Sequence, residues 1–230
     1  MLPDYEEFTR RADAVRGRIE AACRLATRSA GEVELLAVTK SHPAEAAEYA
    51  ARYGLRAVGE NRVQEGVEKR AQARAVIAWE LIGHLQSNKA RLAAQHFDRI
   101  QSVDSAKLAE ILSRASGELG RKLAILLQVN AGLDPAKSGV EPEGAAALLD
   151  AALACPNVRV EGLMTVAPLS DDPDVARRTF DNLRAIRDVL EGKSGARLPH
   201  LSMGMSGDLE AAVAAGSTIV RVGSALFGGR

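Results

Sequence analysis

Glu34-Leu-Leu-Ala-Val-Thr-Lys40 is a short apolar run with a charge at each end. A run of this length between polar residues fits a strand buried on both faces. Ser41, His42 and Pro43 follow, and proline is favoured in the first turn of a helix. Lys40 is therefore expected at the carboxyl end of a buried strand, in the turn before a helix. In barrels and open sheets of the α/β class, that rim carries the chemistry. A desolvated lysine loses its proton readily and can form a Schiff base with a carbonyl. On this strand alone, a solvated rim lysine is an equally good reading.

The same alternation repeats outward from this stretch. Strands are expected at 34–40, 56–61, 78–81, 97–102, 122–130, 158–164, 200–203 and 218–222. Helices are expected between them, over 43–53, up to about 74, up to 95, after Asp104 as a cap, and over 142–154, 173–191 and 206–215. A further helix over 4–28 precedes the first strand, with Val15, Ile19, Ala22 and Leu25 at near-helical spacing. About eight strand–helix units in 230 residues is what a (β/α)8 TIM barrel requires. A doubly wound sheet is the competitor. It would favour a glycine fingerprint after the first strand, and neither GxGxxG nor GxxxxGK[ST] occurs. No linker or change in composition divides the chain, so one domain over 1–230 is expected. The leading helix could plug or flank the barrel.

Composition narrows the function. Lys+Arg and Asp+Glu both total 30, and this zero net charge gives no reason to expect nucleic acid or an anionic membrane as partner. No apolar run is long enough to span a bilayer. The acidic opening, Met-Leu-Pro-Asp-Tyr-Glu-Glu, is not a secretory signal. Cys23 and Cys155, the two cysteines, suggest free thiols in a cytoplasmic protein. His42, His84, His96 and His200 show no ligand spacing such as HExxH, so no metal is expected.

In a barrel the strand ends converge on one mouth. Here they would bring Lys40, Glu60-Asn61, Gly83-His84, Ser102, Asn130, Met164-Thr165, Ser202-Met203 and Arg221 together. Most have ordinary explanations: turn chemistry for an Asn, packing for a Met. Arg221 is harder to dismiss, because Thr-Ile-Val-Arg221-Val is otherwise apolar. A guanidinium in a buried strand needs hydrogen-bond acceptors. A structural carboxylate is one candidate, and a ligand is the other. Gly223 and Ser224 follow directly, and the loops after the last two strands of such barrels often hold a phosphate. Ser206, at the start of the preceding helix, could add its hydroxyl and N–H or serve as an ordinary cap.

With these residues in view, the chain resembles the pyridoxal phosphate (PLP) homeostasis proteins of the YggS/PROSC type. The matching stretches are Leu36-Ala-Val-Thr-Lys40, Gly59-Glu-Asn61-Arg-Val-Gln-Glu65, Ile82-Gly-His-Leu-Gln-Ser-Asn-Lys89, Gln128-Val-Asn130 with Lys137-Ser-Gly139, Gly162-Leu-Met164, Leu201-Ser-Met-Gly-Met-Ser206 with Asp208, and Gly216 to Gly228. They span nearly the whole chain in the family's order. One departure is Thr39-Lys40-Ser41-His42-Pro43, where the family commonly has Ser before the lysine and a second basic residue before the proline.

The resemblance implies a barrel like the N-terminal domain of alanine racemase, with PLP held as a Schiff base on Lys40. It implies Arg221 at the pyridine nitrogen, with Ser206, Gly223 and Ser224 at the phosphate. Asn61, His84 and Met203 are implied around the ring. The expected role is a monomeric, non-catalytic PLP carrier or buffer in vitamin B6 and amino-acid homeostasis, with PLP-dependent apo-enzymes as candidate recipients. Alanine racemases take a second base, a tyrosine, from another domain. This chain is expected to lack that domain, and its tyrosines, Tyr5, Tyr49 and Tyr53, are expected away from the mouth. A PLP-dependent amino-acid racemase, a Schiff-base aldolase and a pure interaction protein are the alternatives.

Overall fold

The structure is a computed structural model that describes residues 2–229. Eight parallel strands close into a barrel in chain order: β1 (Glu34–Val38), β2 (Ala57–Glu60), β3 (Ala78–Leu81), β4 (Arg99–Val103), β5 (Leu123–Gln128), β6 (Val158–Met164), β7 (His200–Ser202) and β8 (Ile219–Val222). Closure is direct, since Leu36 of β1 pairs in register with Arg221 of β8. The TIM-barrel expectation holds, and the doubly wound sheet is excluded because its edges would stay open. An outer layer covers the barrel: α2 (Glu45–Arg52), α3 (Val63–Gln72), α4 (Ala90–His96), α5 (Ala106–Glu118), α6 (Ala145–Leu153), α7 (Pro173–Ser194) and α8 (Leu209–Ala214).

The leading helix, α1 (Tyr5–Leu25), flanks the barrel rather than plugging it. Its buried stripe, Phe8, Ala12, Val15, Ile19 and Ala22, recurs at helical spacing and packs beside α8. Asp4 caps its start by accepting the Glu7 N–H at 2.8 Å. Arg18 then ties it to Glu210 on α8 at 2.7 Å. A last short helix, α9 (Ser224–Phe227), places Phe227 5.2 Å from the Phe8 ring, which locks the chain end onto α1.

Strand alternation divides the side chains into two sets. Leu35, Ala37, Val58, Trp79 and Leu81 point outward into the large core between barrel and helices. Leu36, Ala57, Leu126, Met164 and Ile219 form a separate cluster inside the barrel. The helix after β4 is capped by Ser105, which accepts the Leu108 N–H at 3.3 Å, and not by Asp104. Asp104 instead lies 3.6 Å from His84.

Candidate functional site

Inward phase on β1 continues past the strand, so Leu36, Val38 and Lys40 share one face while Thr39 faces the helices. Val38 and Lys40 thereby line a cavity of about 460 Å³ at the carboxyl ends of the strands, together with His42, Asn61, Ile82, Val166, Met205, Ser206, Arg221, Gly223 and Ser224. This volume lies within the range of small-molecule sites. Its wall is apolar at Val38, Ile82 and Val166, and its polar side chains are two cations, Lys40 and Arg221, the hydroxyls of Ser206 and Ser224, the Asn61 amide and the His42 imidazole.

The turn that carries Lys40 is held from behind. Lys69 on α3 donates to the Thr39 carbonyl at 2.7 Å, to Glu60 Oε1 at 2.8 Å and to Glu65 Oε1 at 2.7 Å. Thr39 Oγ1 donates to the same Glu60 oxygen at 2.6 Å, and Glu65 accepts the Ser41 N–H at 2.5 Å. Ser41 has φ of 62°, a left-handed conformation that costs energy for a residue with a side chain. These contacts flank Lys40 on both sides and stabilise that turn. Glu60 is fully buried, and burial holds its carboxyl above the usual range; its second oxygen has no hydrogen-bond partner.

Arg221 forms part of the cavity's inner wall. Its Nη1 donates to Ser202 Oγ at 2.7 Å and its Nη2 to the Thr165 carbonyl at 2.8 Å. Both acceptors are neutral, so the structural carboxylate considered from sequence is not among its hydrogen-bond partners. Burial pushes the guanidinium down to about 10, and Asp208 offsets this only in part. It still carries its charge at neutral pH.

Ser206 and Ser224 approach each other from the loop after β7 and the start of α9, with their hydroxyls 3.3 Å apart. The first N–H groups of a helix have no intrahelical acceptor, so this corner presents hydroxyls and amides together. Gly223 allows the close approach: a Cβ there would sit 3.2 Å from the Val38 carbonyl oxygen. Ser206 does not open a helix as expected, because α8 starts later, at Leu209.

Six of the eight residues singled out from sequence thus share one cavity: Lys40, Asn61, Ser206, Arg221, Gly223 and Ser224. The other two do not line it. Met203 is fully buried in the outer core, because β7 turns Ser202 inward and so sends its neighbour outward. Met205 is the methionine at the cavity. His84 is exposed and faces Asp104. His42, not among the residues expected at the mouth, also lines the cavity and packs 5.1 Å from the Phe227 ring. Its place just after the lysine was the available signal. Chemically, the cavity offers an amine that can condense with a carbonyl, a buried cation and an anion-binding corner.

The family model for the N-terminal domain of alanine racemase matches residues 12–230. The chain is 39% identical over 221 residues to a pyridoxal phosphate homeostasis protein of Aquifex aeolicus, covering 96% of this chain and 97% of that protein. It is 42% identical over 217 residues to the protein of the same name from Pseudomonas aeruginosa, covering 94% and 93%. Among solved structures, PipY of Synechococcus elongatus with PLP bound superposes with a TM-score of 0.82 at 42% identity, covering 92% of this chain and all of that one. Among the described residues, no helix is long and apolar enough to cross a membrane.

Proposed function

Because the chain belongs to the alanine racemase N-terminal domain family, and within it to the pyridoxal phosphate homeostasis proteins, we propose that it binds PLP reversibly in the 460 Å³ cavity and buffers or hands on that cofactor. One observation carries this reading: Lys40, Arg221, Ser206, Gly223, Ser224 and Asn61 line a single cavity. PLP is an aldehyde, a phosphate ester and a pyridine, and the donor set suits all three parts. Lys40 would hold the aldehyde carbon as a Schiff base. Ser206, Ser224 and the N–H groups at Gly223 and Ser224 would hold the phosphate, and Arg221 the pyridine nitrogen. Val38, Ile82 and Val166 would cover the ring, with Asn61 at its edge. When bound, the cofactor supplies an electrophilic carbon and an electron sink.

The residues around the cavity favour holding over turnover. A guanidinium cannot accept a proton, so Arg221 would leave the ring nitrogen unprotonated and the sink weakened. A two-base racemase needs a second acid/base on the opposite face. Among the described residues no tyrosine lines the cavity. Tyr5 and Tyr49 pack edge to face at 5.3 Å, and Tyr53 stands against Phe8 and donates to Asp13. Burial, with Asp13 adding to it, pushes the Tyr53 hydroxyl up to about 12, so it is poorly suited to act as a base. The whole chain is proposed to act as one PLP-binding barrel, in the cytoplasm, with PLP-dependent apo-enzymes as recipients.

The test is to load the protein with PLP, remove excess, and add an apo-enzyme of known PLP dependence. Restored activity of the acceptor, with no interconversion of alanine or serine enantiomers by the loaded protein alone, is the expected result. Enantiomer interconversion that disappears in Lys40→Ala would make it a racemase instead. Schiff-base cleavage of a sugar phosphate without bound PLP would make it an aldolase.

A further inference from the structure

A line of hydrogen bonds runs down the inside of the barrel, beneath the cavity. Arg221 Nη1 donates to Ser202 Oγ at 2.7 Å, Ser202 Oγ donates to Gln101 Oε1 at 2.5 Å, and Gln101 Nε2 donates to Glu80 Oε2 at 2.5 Å. Glu80 is gripped in turn by Arg99, through Nη2 at 2.6 Å and Nε at 3.0 Å. Gln101 and Ser202 are fully buried, and Glu80 and Arg221 nearly so. Four strands contribute: β3, β4, β7 and β8.

The direction of this line is fixed by which groups can donate. A carboxylate paired with Arg99 only accepts, so the nitrogen end of the Gln101 amide must face it. The oxygen end then faces Ser202, and it too can only accept. Ser202 has one proton and must give it there. Only lone pairs remain on the side of Ser202 that meets Arg221. Burial without a hydrogen-bonded carboxylate penalises the charged guanidinium. The line joins Arg221 to the Arg99–Glu80 pair through two oriented side chains, each held by the next.

We propose that Gln101 is a positioning residue for the cofactor site: it locks the Ser202 hydroxyl as an acceptor and so fixes the Arg221 guanidinium at the inner wall of the cavity. This rests on the reading that PLP occupies that cavity with Arg221 at its ring nitrogen. Gln101 does not itself line the cavity. A purely structural role would cost stability alone. A positioning role must also reach the cofactor through Ser202.

The experiment compares wild type, Gln101→Met, Ser202→Ala and the double variant. Each is titrated with PLP, its visible spectrum recorded, and its melting temperature measured without PLP. Gln101→Met is close to the same size and removes both ends of the amide's hydrogen bonding. It should weaken PLP binding about tenfold and shift the visible band, while borohydride still fixes the cofactor on Lys40. In the Ser202→Ala background the line is already cut, so the same substitution should cost less than about twofold. If Gln101→Met does not fold, Gln101→Asn keeps the amide but is one methylene too short to reach both neighbours, and the same loss is expected. Wild-type affinity and spectrum in the Gln101 variant would overturn the proposal, as would an equal penalty with and without Ser202. If wild type binds PLP and the variants do not differ, only the positioning role fails. If wild type does not bind PLP, the cofactor reading fails and takes the positioning role with it.

Discussion

The two ends of the barrel make opposite use of charge. A larger cavity, about 630 Å³, opens at the amino ends of the strands, beside Arg16, Glu20, Glu34, Arg56 and His200. There the charges inside the barrel answer one another. Arg99 meets Glu80 at 2.6 Å, Glu161 at 3.3 Å and Glu34 at 3.9 Å. Burial, with Glu80 as a like-charged neighbour, raises the Glu34 carboxyl, and burial lowers the His200 imidazole. Both shifts favour the neutral forms. At the carboxyl end the cavity is smaller, yet Arg221 meets only neutral acceptors and the hydroxyl pair lies open to a ligand. The comparison teaches that volume does not mark the site. The kind of group does: a buried guanidinium on neutral acceptors beside an exposed hydroxyl pair suits an added acceptor or anion.

Six substitutions break or sharpen this contrast. The largest effect is expected at Lys69, which supports the carboxyl end from behind. Lys69→Met leaves Glu60 and Glu65 without their cation in a site where Glu60 is fully buried. Breaking a buried pair by removing one partner costs about 3–5 kcal/mol, read as a lower denaturant midpoint at unchanged slope. A loss under about 1 kcal/mol would show that the ion pair stabilises little.

Arg221→Met should separate stability from binding. PLP affinity should fall by roughly 10- to 100-fold, the range for a hydrogen bond to a charged group. The unliganded protein should lose much less than Lys69→Met does, because the buried charge is itself a cost. The sign follows from linkage. The folded guanidinium releases its proton at about 10, well below its usual range, so the cost is present at neutral pH. It is relieved as pH rises above about 10, where the unfolded chain binds more protons. The difference in unfolding free energy between wild type and Arg221→Met should therefore move in wild type's favour over that window. A difference that stays flat across it would contradict the burial argument.

Ser206→Ala and Ser224→Ala should each weaken PLP binding by about three- to tenfold, with little change in melting temperature. Pyridoxal, which lacks the phosphate, should bind all three proteins alike. Equal losses for pyridoxal and PLP would move the phosphate away from this corner. The smallest effects are expected at the amino end. Arg56→Ala and Glu20→Ala should stay within about 0.5 kcal/mol in stability and twofold in PLP affinity, as exposed substitutions usually do. A large loss of affinity from either would place a ligand at the wrong end of the barrel.

Much of this architecture was legible in the chain. The strands at Ala78–Leu81 and Val158–Met164 have the bounds expected from the sequence. Lys40 and Arg221 were readable because each is a lone charge in or just beyond an apolar strand, where inward phase can be counted. The failures have physical causes. β7 is only three residues long, too short to show which of Ser202 and Met203 faces inward. In β4 the register shifts between Ile100 and Val103, and this hid Gln101 behind its neighbour. Ser102, the β4 residue expected at the mouth, is fully buried and donates to the Gly83 carbonyl at 2.6 Å. Asp104 and Ser105 are both capable caps, and nothing local distinguishes them. The clamp of Lys69, Glu60 and Glu65 joins a turn, a strand end and a helix, so no single stretch reveals it.

The most direct measurement is the visible spectrum of the protein incubated with PLP, recorded before and after borohydride, followed by mass analysis of its peptides, with Lys40→Ala alongside. The expected result is a band in wild type that borohydride removes, leaving one reduced cofactor adduct on the peptide containing Lys40. The Lys40→Ala protein should fold and show no adduct. No band in wild type, or an adduct on another lysine with Lys40 unmodified, would contradict the assignment of this cavity to PLP.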